Sequence, residues 1–117
     1  MQTNINREPD FIATLRYRTT EEGGRRTAAK SGYRPTIKFN FDKMLTSGIQ
    51  TFIDKDIVNP GDIVRAEINI LSAPHFAGRL SEGMEFIFTE GSRIIGTGII
   101  NGIINPRPKY LKTNKTA

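Results

Sequence analysis

The densest group of side chains with potential chemistry is a basic stretch between residues 25 and 43. It holds six cations against the single acid Asp42. The cations are Arg25, Arg26, Lys30, Arg34, Lys38 and Lys43. Guanidinium and ammonium groups on a loop or an exposed strand face neutralise phosphates, which supply most of the affinity in non-specific nucleic-acid binding. The stretch therefore indicates either a phosphate-binding surface or a solvated, solubilising one.

Residue types suited to catalysis are sparse. His75 is the only histidine and the chain has no cysteine, which excludes thiol catalysis, disulfides and cysteine-based zinc sites. The sequence contains no phosphate-cradling Gly-x-x-x-x-Gly-Lys-Ser/Thr segment and no Gly-x-Ser-x-Gly elbow. Asp54, Asp56 and Asp62 lie near one turn, where a solvated loop explains them better than a metal site. We therefore expect no enzymatic activity, no catalytic residue, no metal, no cofactor and no small-molecule substrate.

Length and composition are those of one ordinary globular domain. The chain has 117 residues, of which 37% are hydrophobic and 25% charged. Its formal net charge of +5 favours an anionic partner such as nucleic acid. The polar start of the chain and the lack of a long apolar run predict neither secretion nor membrane association, so a cytoplasmic location is expected.

Alternation of apolar and polar residues dominates the chain, and this period of two is typical of strands with one buried face. The expected inward positions are Phe11, Ala13, Leu15 and Tyr17, then Ile37, Phe39 and Phe41, and then Val64, Ala66, Ile68 and Ile70. Further strands are expected at 48–53, 84–88 and 94–100. No helix of normal length is apparent, so about six strands with short turns predict a small closed barrel or a sandwich.

Glycine and proline mark the turns between these strands. Asn59-Pro60-Gly61-Asp62 predicts a type II turn, and Glu90-Gly91-Ser92-Arg93 predicts a hairpin turn. Gly96 and Gly98 share one strand face, where a missing side chain permits close approach of another chain segment.

We expect a domain at residues 10–104 between a flexible segment at 1–9 and a basic, flexible tail at 105–117.

Three sequence blocks resemble the third, C-terminal domain of translation elongation factor Tu. Glu22-Gly23-Gly24-Arg25, followed by Gly32-Tyr33-Arg34-Pro35, is similar to the start of that domain, with the same spacing between its two parts. Asn59-Pro60-Gly61-Asp62 is similar to the family's Met-Pro-Gly-Asp turn. The segment 86–98 resembles its Arg-Glu-Gly-Gly-Arg-Thr-Val-Gly-Ala-Gly hairpin, so the resemblance extends over about residues 10–104.

The resemblance implies an all-β fold, a closed six-stranded antiparallel barrel with Greek-key connections. In the family this domain contacts the backbone of aminoacyl-tRNA, packs beside a second barrel and a GTPase domain, and helps to bind an exchange factor. The family's tRNA-side positions correspond to Arg26, where it has histidine, to Thr36, where it has glutamine, and to Gly91 in the hairpin. Resemblance and charge together predict a nucleic-acid-binding set formed by Arg26, Arg34, Thr36, Lys38 and Gly91.

The resemblance and the departures from it together predict a second, interdomain or partner surface. It comprises Gly23, Gly24, Arg25, Ala28, Ala29 and Lys30. The family's bulky Thr-Pro-Phe-Phe is Thr27-Ala28-Ala29-Lys30 here, and the loop at 72–82 is about three residues longer than the family's.

One hypothesis is a binding module that docks tRNA or another structured RNA, or a translation protein such as a separate GTPase. The alternative is a protein-interaction domain that mimics the factor's barrel without binding RNA.

Overall fold

The structure, a computed structural model, describes residues 8–104. In chain order these residues form β1 (Phe11–Tyr17), β2 (Ala29–Lys30), β3 (Thr36–Phe39), β4 (Leu45–Phe52), β5 (Ile57–Val58), β6 (Ile63–Ile70), α1 (Ala73–Phe76), β7 (Glu85–Glu90) and β8 (Arg93–Ile103). The predicted tail at 105–117 and most of the predicted N-terminal segment lie outside the described residues. At Glu8, where the description begins, the backbone carbonyl accepts a hydrogen bond from Asn69 Nδ2 at 3.1 Å.

Six of the strands form a closed antiparallel barrel. Their order around it is β1-β6-β4-β3-β7-β8, and β8 pairs with β1 to complete the ring. The consecutive barrel strands β3, β4 and β6 form a meander with β1 beside β6, which is a Greek-key arrangement. The predicted all-β small barrel is therefore confirmed, and the sandwich alternative was wrong. The two-stranded ribbon β2-β5 was not predicted.

The alternation on β1 and β6 fills the barrel as predicted. Every expected inward side chain on these two strands is buried, from Phe11 to Tyr17 and from Val64 to Ile70. Around Phe39, the rings of Phe11, Phe76 and Phe86 have centroids 5.1 to 6.3 Å away in edge-on or tilted orientations, which aromatic pairs favour. The core is therefore an aromatic cluster enclosed by the ring of strands.

The prediction that Phe41 faces inward was wrong. Strand β3 ends at Phe39, and the N–H of Asp42 donates to the Phe39 carbonyl at 3.3 Å as the chain turns. Phe41 is 41% exposed, its ring stacks on that of Phe39, and the Arg79 guanidinium lies 5.0 Å from its centroid. The turn breaks the inward–outward alternation, so the third apolar residue of the run lies on the surface.

Two predictions about glycine are confirmed. Gly61 has φ of +90° and the N–H of Asp62 donates to the Asn59 carbonyl at 3.0 Å, as the predicted type II turn requires. A Cβ atom on Gly98 would lie 2.2 Å from the Phe86 ring, and one on Gly96 would lie 2.5 Å from the Arg16 carbonyl oxygen. Strand β8 can therefore approach the aromatic core and β1 closely only because these positions carry no side chain.

The strand register separates two ends of the barrel. At one end, which we call the basic end, lie the segment 18–35, the turn 59–62 and the β7-β8 hairpin turn at 91–92. At the opposite end lie the β3-β4 turn at 40–44 and the segment 71–84, which contains α1. Within residues 8–104 no helix is long and apolar enough to cross a bilayer.

Candidate nucleic-acid interface

A shallow depression at the basic end brings together side chains from distant parts of the sequence. It has a volume of about 280 Å³ and is lined by Arg25, Arg26, Thr27, Glu90 and Arg93. The loop that follows β1 supplies one side of it, and the β7-β8 hairpin supplies the other. Arg26 and Arg93 are both exposed here. The depression therefore offers two guanidinium groups to solvent.

Arg25 connects the two sides of this depression through an ion pair and hydrogen bonds. Its guanidinium forms an ion pair with Glu90, on β7, and donates to the backbone carbonyls of Thr27 and Ala28 at 3.2 Å each. It also lies 5.0 Å from the centroid of the Tyr33 ring, and the Tyr33 hydroxyl donates to Glu90 Oε2 at 2.5 Å. Arg25 was predicted to belong to a partner surface, but its hydrogen-bonding groups are directed to this internal cluster.

The electrostatics of this cluster fix its protonation at neutral pH. Burial raises the pKa of Glu90, but hydrogen bonds from Tyr33 and Arg25 outweigh it, so the pKa falls below the ordinary 4.5. Burial, then the neighbouring Glu90 carboxylate, raises the pKa of the Tyr33 hydroxyl above its ordinary value of 10.0. Glu90 is thus ionised while Arg25 and Tyr33 stay protonated. Because Arg25 compensates the charge of Glu90, Arg26 and Arg93 leave the depression positive.

This cluster predicts a pH-dependent contribution to stability. The pKa of Glu90 is lower in the folded than in the unfolded chain, so its stabilising effect is present above about pH 4.5 and is lost as the pH falls below that. We expect Glu90→Gln to melt below the wild type at neutral pH, because the substitution removes the ion pair with Arg25. The difference should be only a few degrees, since the pair is partly exposed to solvent. The difference between the two melting temperatures should shrink as the pH falls below about 4.5. Melting followed by circular dichroism from pH 7 to pH 3 measures this, and a constant difference would contradict it.

The hairpin turn supplies a cation that the sequence interpretation did not include. Gly91, predicted to lie on the nucleic-acid side, occupies the exposed tip with φ of +59°. Arg93 follows two residues later, and its Nη1 lies 3.5 Å from the Gly24 carbonyl oxygen. The sequence interpretation assigned Arg93 to the turn and to the family's hairpin pattern, and did not include it in the binding set. A cation two residues after a turn glycine was the signal that could have identified Arg93.

The other predicted nucleic-acid-binding residues are divided between two surfaces. Arg34 is exposed at the basic end, next to Tyr33. Thr36 and Lys38 lie on β3, and both are partly buried. Thr36 lines a different groove, together with Leu45 and Leu71, and Lys38 lies opposite Leu45 in the strand register. The structure therefore brings Arg26 and Gly91 together with Arg93, and separates Thr36 and Lys38 from them.

The predicted partner surface is only partly on the outside. Gly24 is buried, and a Cβ atom there would lie 2.6 Å from the Arg18 carbonyl oxygen. Ala29 is part of the core and pairs with Val58 in the β2-β5 ribbon. Neither can present a side chain to a partner. Lys30 presents an exposed side chain and Ala28 a partly exposed one, and Gly23 is exposed backbone. For these three residues a partner role stays a prediction.

His75 takes part in a polar cluster that joins α1 to the β3-β4 turn. Its Nε2 lies 2.8 Å from Asp42 Oδ2, which also accepts from Arg79 Nη2 at 2.9 Å. The backbone N–H of Met44 and then the His75 ring hold the pKa of Asp42 below its ordinary value. The imidazole packs edge-on against Phe76. Within residues 8–104 no group of three or more histidine, aspartate or glutamate residues is arranged to hold a metal ion.

The three sequence blocks on which the elongation factor resemblance rests all reach the basic end of the barrel. The first block precedes β3, the second is the turn before β6, and the third forms the β7-β8 hairpin. No known protein-family model matches this chain. The relation to the third domain of elongation factor Tu therefore stays a prediction that depends on these blocks alone.

Proposed function

We propose that this domain is a non-catalytic binding module that contacts the phosphate backbone of a structured RNA of the tRNA type. In this proposal it is related to the third domain of elongation factor Tu and acts in the cytoplasm, where translation takes place. The observation that carries the proposal is the depression in which Arg26 and Arg93 face solvent while Arg25 compensates Glu90. Arginine suits this role, because its planar fork of donors binds phosphate oxygens in pairs.

The lining of the depression favours backbone contacts over contacts with bases. Stacking of unpaired bases needs an exposed aromatic face. Tyr33, the nearest ring, is covered by the Arg25 guanidinium, and its hydroxyl is bonded to Glu90. Two arginines beside a hairpin tip can instead bind phosphates at a fixed spacing without reading the sequence. A duplex stem is therefore the expected target.

Binding of wild-type protein to tRNA at a series of salt concentrations tests this function. If Arg26 and Arg93 each neutralise one phosphate, the logarithm of the association constant should fall against the logarithm of salt concentration with a slope of about −2. Filter binding or fluorescence anisotropy measures the slope. Absence of binding at low salt, or binding that salt does not weaken, would contradict the RNA proposal and favour a protein-interaction domain that mimics the factor's barrel.

A further inference from the structure

The depression at the basic end contains a carboxylate as well as guanidinium groups. Of the five residues that line it, three are arginines and one is Glu90. Glu90 lies directly opposite Arg93 in the register of the β7-β8 hairpin, and its side chain is 40% exposed. Opposite residues of an antiparallel pair have Cβ atoms about 5 Å apart. A ligand that contacts Arg93 therefore also comes close to the Glu90 carboxylate.

The Glu90 carboxylate is held in place as an anion. Arg25 forms an ion pair with it, and the Tyr33 hydroxyl donates to its Oε2 at 2.5 Å. Burial opposes its ionisation, but hydrogen bonds from Tyr33 and Arg25, and then the charge of Arg93, keep the pKa of this carboxyl below its ordinary value. The arginines that would bind a phosphate in the depression therefore already have an anion beside them.

Other carboxylates at the basic end lie apart from this lining. Glu22 pairs with Arg16 at 3.3 Å, and Asp62 pairs with Lys55 at 3.9 Å. Three further acids of this end are exposed in loops, and within residues 8–104 none of them lines the depression: Glu21, Asp54 and Asp56. Glu90 is therefore the carboxylate that a ligand bound in the depression would meet.

Repulsion by Glu90 depends on the charge of the ligand. Coulomb energy is proportional to the product of the two charges, so a multiply charged anion is opposed more strongly than a singly charged phosphodiester. The phosphates of an RNA backbone are also spaced along the strand and can reach Arg26 and Arg93 separately. A compact anion such as pyrophosphate has to place all its charge at one point beside Glu90.

We infer that Glu90 is a specificity-determining residue that excludes compact, multiply charged anions from the depression. The excluded ligands are pyrophosphate and the phosphate chains of free nucleotides, whose phosphate chemistry is otherwise that of RNA. Repulsion of the wrong ligand is a common source of specificity. The inference rests on the proposed function for the identity of the ligand that is accepted, the phosphodiester backbone of RNA. RNA itself is bound somewhat more weakly as a result.

Titration of isotope-labelled protein with pyrophosphate, followed by NMR at low and constant ionic strength, tests this inference. Glu90→Gln keeps the shape of the side chain and one acceptor oxygen for Arg25 and Tyr33, so it removes mainly the charge. We expect it to bind pyrophosphate about five- to tenfold more tightly than the wild type, with amide shift changes at residues 25–28 and 90–93. Its affinity for a short RNA hairpin, measured by fluorescence anisotropy, should rise only about two- to threefold.

Two further variants separate the local charge from its alternatives. Glu85→Gln makes the same change in net charge at an exposed position near the other end of β7, and should alter pyrophosphate affinity by no more than about twofold. Glu90→Asp keeps the negative charge on a shorter side chain. It should bind pyrophosphate as weakly as the wild type does, whereas a purely structural role of Glu90 would make it resemble Glu90→Gln.

Several outcomes would overturn the inference. They are equal pyrophosphate affinities of the wild type and Glu90→Gln, absence of binding to both, or an equally large gain in Glu85→Gln or Glu90→Asp. An increase in RNA affinity as large as that for pyrophosphate would also contradict it. Failure of the proposed function gives a different result, because the wild type would then not bind the hairpin at low salt. A gain in pyrophosphate binding by Glu90→Gln would in that case still support exclusion by Glu90.

Discussion

Replacing Gly96 by alanine is expected to lower the free energy of unfolding by about 2–3 kcal/mol. A Cβ atom at this position would lie 2.4 Å from the Phe88 ring and 2.5 Å from the Arg16 carbonyl oxygen. Neither atom can move freely, since Phe88 is fully buried and Arg16 belongs to β1, which pairs with β8 along this segment. Urea denaturation followed by circular dichroism measures the change through the shift in transition midpoint.

Gly102 provides the matched control for this substitution. It lies on the same strand, and a Cβ atom there would meet nothing within 4 Å. Gly102→Ala should therefore change the free energy of unfolding by no more than about 0.5 kcal/mol. Equal effects of the two substitutions would mean that glycine flexibility, and not close approach of β8 to β1 and the core, explains the requirement at Gly96.

Reversing both charges of the basic depression is expected to weaken tRNA binding about a hundredfold at low salt. Arg26→Glu, Arg93→Glu removes two phosphate-binding groups and places carboxylates where the RNA backbone would lie. The slope of the logarithm of the association constant against the logarithm of salt concentration should also become less steep, because fewer counterions are released on binding. Both side chains are exposed, so the melting temperature should stay close to that of the wild type.

Arg65→Glu is the control for the effect of net charge. Arg65 is exposed on β6, which lies three strands around the barrel from β7. This single reversal should weaken tRNA binding by no more than about two- to threefold. If Arg65→Glu weakens binding as much as the double reversal in the depression, RNA binding would reflect overall charge and the depression would have no special role.

Local sequence pattern was sufficient for much of the fold. The period of two on β1 and β6 identified the buried side chains correctly, because a strand with one solvated face requires that alternation. The Pro60-Gly61 turn followed from the φ that each residue favours. The pattern failed at Phe41, where apolar alternation continues past the end of β3 and only the turn at 39–42 moves the side chain to the surface.

Pairs formed across the barrel could not be inferred from local spacing. Arg25 and Glu90 are 65 residues apart, and they meet only because barrel closure brings the β7-β8 hairpin beside the loop after β1. The basic stretch at 25–43 therefore gave the right region for exposed arginines, but it could not show that Arg25 is held in an internal ion pair. Thr36 was grouped with Arg26 through the family resemblance, although it lines a separate groove together with Leu45 and Leu71.

The most direct test of the RNA proposal is an NMR titration of isotope-labelled protein with a short RNA hairpin, recorded at low salt. We expect the largest amide shift changes at residues 25–28 and 90–93, around the depression. Residues 45–47 and 71–72, which line the groove that contains Thr36, should change little. Changes confined to that groove, changes spread evenly over the surface, or none at all would contradict the proposal that the basic end binds RNA.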